Sequence, residues 1–158
     1  MASTLRPATT PRIRPALDDD VPALIAIDTV ARTDTGRRRQ IEHWVGQAEC
    51  LVADRGGTIL GYAVIDYSFF ERRFLAMLMV AEAARRQRVG RTLAKAAVAA
   101  SGEQVLWTSC NVSNHPVQAL FAAEGFFECG RIEGLDPGDP ELIWRYEPGK
   151  LLSSGRTM

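Results

Sequence analysis

Residues 80–93, VAEAARRQRVGRTL, decide how this sequence folds and what it can bind. An apolar segment ends at Val80, an arginine-rich loop follows, and a helical pattern begins near Val89. The first N–H groups of a helix lack intrahelical acceptors and lie at its positive dipole end, so such a helix start attracts anions. Gly90 lets a ligand approach the backbone closely. The stretch therefore predicts a phosphate site, although a solvated arginine-rich turn would have the same composition.

The segments around this stretch alternate between strand and helix patterns. Apolar and alternating runs predict strands at residues 13–16, 51–54, 58–67, 74–80, 105–109, 126–133 and 142–146. Helical spacing of apolar residues predicts helices near residues 21–27, 38–48, 89–100 and 116–124. The acids at 18–20 are expected to cap the first helix, and FLAMLMV at 74–80 is typical of a strand buried on both faces. This order predicts an α/β fold without internal repeats.

Length and composition narrow the function classes. The 158 residues suit one domain, expected at residues 12–146 between a flexible tail at 1–11 and a polar tail at 147–158. Lys plus Arg equals Asp plus Glu, at 19 each, which disfavours a nucleic-acid partner. No apolar run reaches the roughly 18 residues of a membrane span, so no membrane partner is expected. Three cysteines without paired spacing disfavour disulfides and structural zinc, so we expect a cytoplasmic protein with no metal.

The arginine-rich stretch resembles the pyrophosphate loop of the GNAT superfamily of N-acetyltransferases, whose pattern is Q/R-x-x-G-x-G/A. Arg85 matches the first position and Gly90 the last, whereas Arg88 replaces the middle glycine. A positive φ would strain Arg88, but we expect a helical conformation because the helix should start there. Residues 114–126, NHPVQALFAAEGF, resemble the second family motif, N-x-x-A-x-x-x-Y-x-x-x-G-F, with Phe121 in place of the tyrosine.

The resemblance implies a GNAT fold and acetyl-CoA as co-substrate. In that fold a mixed, mostly antiparallel central sheet is flanked by helices and splayed between its fourth and fifth strands, where the pantetheine arm lies. Backbone groups of the fourth strand pair with that arm, and an N–H near Met79 would hold the thioester oxygen as it gains charge. The residues expected to bind acetyl-CoA are Leu78, Met79, Val80, Arg85, Arg86, Gln87, Arg88, Val89, Gly90, Arg91, Thr92, Asn114 and Phe121.

Two proton transfers accompany aminolysis of a thioester, because the amine must be neutral and the departing sulfur gains from protonation. Many relatives carry a glutamate where this sequence has Ala76, and Phe121 cannot replace the usual tyrosine acid. The catalytic candidates are therefore Asp66, Glu71 and Cys110. Cys110 has no evident His or Asp partner nearby, so direct transfer is favoured over an acyl-cysteine. Water as the acid, and Asp136, Asp139, Glu141, Tyr67 or His43 as the base, stay open.

The resemblance implies an acyltransferase that moves an acetyl group onto the primary amine of a small molecule. The late loop at 133–141 carries four carboxylates, which would favour a cationic amine, although an acidic hairpin loop can also be plain surface. Two alternatives stay open. One is a protein acetyltransferase acting on an N-terminus or a lysine, and the other is an acyl-CoA-binding module with little catalysis. A homodimer is also open, because dimers are common among similar proteins.

Overall fold

The computed structural model describes residues 9–150, so most of the two expected tails lies outside the described residues. Short 3₁₀ turns at Asp18–Asp20 and Glu82–Ala84 accompany the main elements. These elements are β1 (Arg12–Pro15), α1 (Val21–Ile27), α2 (Thr35–Gly46), β2 (Cys50–Arg55), β3 (Thr58–Phe69), β4 (Arg72–Val80), α3 (Val89–Ser101), β5 (Leu106–Asn111), α4 (His115–Ala123), β6 (Phe127–Ile132) and β7 (Glu141–Tyr146). The predicted order of helices and strands is confirmed.

The strands form one mixed sheet in the order β1-β2-β3-β4-β5-β7-β6. The pairs β1–β2, β5–β7 and β6–β7 are antiparallel, whereas β4 and β5 run parallel. β5 pairs with β7 along its whole length, but its described register with β4 comprises Phe74 opposite Trp107 and Leu75 opposite Thr108. The predicted fold class, α/β with a mostly antiparallel sheet flanked by helices, is confirmed.

The chain divides into two compact units, and the first comprises the residues up to Tyr62 together with Leu78–Leu93. Aliphatic side chains form much of its interior, with Leu24, Ile41, Val52, Val89 and Leu93 almost fully buried. Gly61 marks the closest packing. A Cβ there would lie 2.6 Å from the carbonyl oxygen of Met79 and 3.1 Å from a methyl carbon of Leu93.

The start of α1 differs from the prediction, because the acids at 18–20 do not cap it. They form the 3₁₀ turn, and the α1 N-cap residue Asp20 makes no side-chain cap hydrogen bond. The Asp20 carboxylate instead accepts from Leu17 N at 2.8 Å and from the Arg14 guanidinium at 2.7 and 3.0 Å. Arg14 also donates to Asp54 at 3.0 Å. The Arg14–Asp20 ion pair and the Leu17 N–H thus take the oxygens that local spacing assigned to a cap.

The second unit comprises Ala63–Met77 and the residues from Ala94 onward. An aromatic cluster forms part of its interior, with the Phe121 ring 5.4 Å from that of Phe126 and 6.1 Å from that of Trp144. The buried Thr108 hydroxyl donates to the Leu75 carbonyl at 2.9 Å, which ties β5 to β4. Helix α4 and these strands therefore share one packed interior.

The strand β4 and the turn before it depart from the sequence prediction. Only Leu75 of the FLAMLMV run is buried, and the other six residues are half-buried, so the expectation of burial on both faces is wrong. Phe70 and Glu71 connect β3 to β4 with φ of 47° and 57°. This is the conformation of a tight hairpin turn usually made by Asn and Gly, so the residue types gave no signal for it. Among residues 9–150, no helix is long and apolar enough to cross a membrane.

Candidate active site

The phosphate loop, residues 85–90, lies in the first unit between the 3₁₀ turn Glu82–Ala84 and α3. Helix α3 starts at Val89, as predicted. Arg86 and Arg88 have φ of 62° and 63°. The expected helical conformation of Arg88 is therefore wrong. The backbone turns left-handed at the position where the family pattern has glycine, and such a conformation costs about 1–3 kcal/mol for a residue with a Cβ.

Packing and hydrogen bonds hold the two ends of the phosphate loop. Before it, Ala84 is buried and the Ala81 N–H donates to the Leu60 carbonyl at 2.8 Å. At its other end, the buried side chain of Val89 anchors the first turn of α3. The Thr92 hydroxyl and N–H both reach the Arg88 carbonyl, at 2.9 and 3.0 Å. The phosphate loop is therefore anchored at both of its ends.

This arrangement suits an anion with several oxygens. The leading N–H groups of α3 at Val89, Gly90 and Arg91 precede the first intrahelical bonds of the helix and carry its positive dipole end. Arg85, Arg86, Arg88 and Arg91 are exposed around them. Backbone N–H groups with surrounding guanidinium groups are the usual partners of a diphosphate.

A residue that sequence reasoning missed, Arg55 at the end of β2, reaches the phosphate loop. Its Nη1 donates to Gln87 Oε1 at 2.9 Å and its Nε donates to the Thr9 carbonyl at 2.8 Å. The Gln87 amide in turn donates to the Ala83 carbonyl at 3.1 Å. No local pattern announces this contact, because Arg55 and Gln87 are 32 residues apart in sequence.

The remaining residues expected to contact acetyl-CoA lie on β4 and around α4. Leu78, Met79 and Val80 end β4 in the first unit and are half-buried. In the second unit, Asn114 caps α4, because its side chain accepts from Val117 N at 3.4 Å. The Phe121 ring is buried in the aromatic cluster, so this residue contributes packing there.

The three catalytic candidates all lie in the second unit, on different elements. Asp66 is buried on β3, and its Oδ1 accepts from the Ser68 hydroxyl at 2.7 Å and the Ser68 N–H at 3.0 Å. Glu71 is exposed in the turn before β4. Cys110 is buried on β5, where desolvation raises the pKa of its thiol to about 11. Within residues 9–150, no hydrogen bond or ion pair joins these three to one another.

The acidic loop between β6 and β7 is tied to the end of β5. Asn111 Nδ2 donates to Asp136 at 2.8 Å and to the Asp139 carbonyl at 3.1 Å. The Asp139 carboxylate accepts from the N–H and the hydroxyl of Ser113. These donors are neutral, so they orient the two carboxylates without cancelling their charge. Glu133 differs, because it pairs with Arg131.

A buried cluster around the carboxylate of Asp28, in the first unit, was also not predicted from the sequence. The fully buried Asp28 follows α1 and accepts from the Tyr62 hydroxyl at 2.8 Å. Its other oxygen accepts from the N–H groups of Val30 and Ala31, which shapes the loop before α2. Arg37 Nε lies 3.8 Å from Asp28 Oδ2. Burial and the adjacent carboxylate raise the pKa of Tyr62 far above its usual value, so the hydroxyl stays a proton donor.

Similarity to known proteins agrees with this geometry. The Acetyltransferase (GNAT) family model matches residues 17–126, whereas no curated protein matches the chain in sequence. A GNAT-family acetyltransferase from Bacillus cereus is 29% identical with a TM-score of 0.81, over 88% of this chain and 98% of that one. A ribosomal-protein-alanine N-acetyltransferase from Brucella melitensis is 26% identical with a TM-score of 0.71, over 86% and 99%. The chain belongs to the GNAT acetyltransferase family and is an acetyl-CoA-dependent acyltransferase.

Proposed function

We propose that the protein transfers an acetyl group from acetyl-CoA to the primary amine of a small molecule, by direct attack of the amine on the thioester. The observation that carries the donor half is the left-handed loop at Arg86 and Arg88, directly before the leading N–H groups of α3. This conformation costs free energy, persists only where the surrounding structure holds it, and is concentrated at active and ligand sites. The diphosphate of CoA has the charge and the oxygens that these groups would hold.

The residues of the first unit would bind the donor. The α3 N–H groups and the arginines of the phosphate loop would hold the diphosphate, and backbone groups at Leu78, Met79 and Val80 would hold the pantetheine arm. An N–H near Met79 would stabilise the carbonyl oxygen as it gains negative charge. Acetyl-CoA supplies the activated acetyl group.

Side chains on β3, in the turn before β4 and on β5 would transfer the protons. The amine loses a proton as its C–N bond forms, and the sulfur gains one as the C–S bond breaks. We propose a carboxylate, Asp66 or Glu71, as the base. The raised pKa of Cys110 keeps its thiol protonated at neutral pH, which argues against a role as nucleophile. Cys110 or water would supply the proton that the sulfur gains.

The proposed acceptor is a cationic amine. Asp136 and Asp139 are held by the neutral partners Asn111 and Ser113, and fixed carboxylates attract cations. A second candidate is the N-terminus of a protein, since one relative at 26% identity is named a ribosomal-protein-alanine N-acetyltransferase. We place the reaction in the cytoplasm, because Cys50, Cys110 and Cys129 are all free thiols.

Thiol release from acetyl-CoA across a panel of amines tests the proposed function. The panel contains diamines, neutral amines, lysine peptides and peptides with an N-terminal alanine. We expect turnover with small cationic amines. Faster turnover with alanine peptides would replace the small-molecule acceptor by a protein N-terminus. Tight CoA binding without turnover on any amine would contradict transfer altogether. If the enzyme is active and Asp66 is the base, Asp66→Asn should abolish the acidic limb of the pH–rate profile. If Glu71 is the base, Glu71→Gln should abolish it instead.

The donor site has a separate test in Gly90→Glu. A carboxylate at the start of α3 repels phosphates and projects toward the N–H groups that would bind them, so CoA binding should be lost while the fold persists. Gly46→Glu is the matched control, because it adds the same side chain to an exposed helix position of the same unit with no heavy atom within 4 Å of the new Cβ. Retained CoA affinity in Gly90→Glu would refute the phosphate assignment.

A further inference from the structure

The side chain of Gln87 is held at both ends, although it is exposed on the phosphate loop. Its oxygen accepts from Arg55 Nη1 at 2.9 Å and its nitrogen donates to the Ala83 carbonyl at 3.1 Å. Arg55 is itself oriented, because its Nε donates to the Thr9 carbonyl at 2.8 Å. A chain of hydrogen bonds thus runs from the end of β2 to the middle of the loop.

The position of Gln87 explains what this chain of hydrogen bonds can do. Gln87 lies between Arg86 and Arg88, the two residues of the phosphate loop with positive φ. Residues with a Cβ persist in this conformation only when their surroundings hold them. Repulsion among the exposed guanidinium groups also favours opening of the loop. A bond that fixes the residue between the two left-handed positions opposes both effects.

We infer that Arg55 is a positioning residue, which holds Gln87 so that the phosphate loop keeps its binding conformation before acetyl-CoA arrives. The inference rests on the proposed binding of acetyl-CoA to this loop. The inference assigns a role to Arg55, which lies outside the family motif at the end of β2. Arg55 acts through Gln87 and need not touch the ligand. Pre-ordering of the loop lowers the entropy cost of binding and therefore lowers KM for acetyl-CoA.

Trypsin cleavage measures the opening of the phosphate loop directly, since trypsin cleaves after Arg85, Arg86 and Arg88 within it. Cleavage follows the population of the opened loop when opening is fast. Loss of an exposed hydrogen bond to a neutral acceptor should increase the population of the opened loop about two- to tenfold. We therefore expect Arg55→Ala to raise the cleavage rate within the loop by that factor, measured by mass spectrometry on protein without ligand. Arg55→Lys should restore part of the protection, because lysine reaches one acceptor and cannot fork between Gln87 and Thr9.

Two further variants separate this role from a change in surface charge. Arg39→Ala removes an exposed arginine of α2 in the same unit and should leave loop cleavage unchanged. Gln87→Ala should also raise loop cleavage, and the two effects should be less than additive in the double variant, because both changes remove the shared Arg55–Gln87 hydrogen bond. Steady-state assays should show KM for acetyl-CoA raised about two- to tenfold in Arg55→Ala with kcat unchanged.

The outcomes distinguish this inference from the proposed function. Wild-type cleavage rates in Arg55→Ala, additive effects in the double variant, or an unchanged KM would each overturn the positioning role, even if acetyl-CoA binds. Failure of acetyl-CoA to bind the wild-type protein, measured by calorimetry, would overturn the proposed function instead. Increased cleavage together with increased KM supports both.

Discussion

The substitution Gly61→Ala tests how closely β3 packs against its neighbours in the first unit. An added Cβ would lie 2.6 Å from the Met79 carbonyl oxygen, 3.1 Å from Leu93 Cδ1 and 3.2 Å from Val89 Cγ1. The two side-chain methyl groups can give way by a few tenths of an ångström. The Met79 oxygen belongs to the backbone of β4, so relief of that contact requires one strand to move. Gly61 is therefore required by tertiary packing.

The expected loss of stability follows from these contacts. Overpacking costs about 1–3 kcal/mol, and replacing Gly by Ala returns about 0.4–1 kcal/mol by restricting the unfolded chain. A net loss of about 1–2 kcal/mol corresponds to a Tm lowered by about 3–6 °C for a chain of this size. Thermal unfolding followed by circular dichroism measures it. KM for acetyl-CoA should also rise, because the displaced Met79 backbone belongs to the proposed binding strand.

Gly130→Ala on β6 is the matched control. Its Cβ would lie 3.6 Å from Ile143 Cβ, which is ordinary van der Waals contact. The same entropy gain then comes without a clash, so the Tm should stay unchanged or rise. A Gly61→Ala protein that melts at or above the wild-type temperature would refute the close approach of β3 to Met79.

Two further changes test the buried polar groups of the first unit. Tyr62→Phe removes the hydroxyl that donates to the fully buried Asp28 and should lower the free energy of unfolding by about 1.5–3 kcal/mol in urea. Tyr67→Phe removes an exposed hydroxyl bonded to Gln104 at 3.2 Å and should cost under about 0.5 kcal/mol; equal losses would contradict the Asp28 contact. Arg14 lowers the pKa of Asp20 and of Asp54 by donating to both, so it contributes stability above about pH 4 that is lost as the pH falls further. Arg14→Leu should reduce the difference in Tm between pH 7 and pH 3, and an undiminished difference would argue against this pair.

Local sequence patterns predicted the elements, because periodicity and spacing act over one or two turns of chain, and the resemblance of two motifs predicted the family. The strand that ends at Val80 and the helix that starts at Val89 follow from apolar spacing. The motif at residues 114–126 predicted α4, and Asn114 does cap it. Binding roles for these residues stay predictions, since they concern a ligand.

Two predictions of local conformation were wrong. Arg88 was expected to be helical, but its φ is 63° on a loop bonded to Arg55, more than thirty residues earlier in sequence. Asp20 was expected to cap α1, but Arg14 and the nearby Leu17 N–H take its oxygens. The left-handed conformation costs about 1–3 kcal/mol and a lost cap about 1 kcal/mol, so packing or an ion pair of similar size can reverse either local preference.

The sequence by itself determined that a strand, an arginine-rich loop and a helix start follow one another at residues 80–93, and this order places N–H groups and cations together. Only the tertiary structure decided the conformation of that loop, the partner of Gln87 and the burial of Asp28 beneath Tyr62. The physical reason is that periodicity reports which side of an element is apolar. It carries no information about which distant side chain will meet that element once the chain has folded.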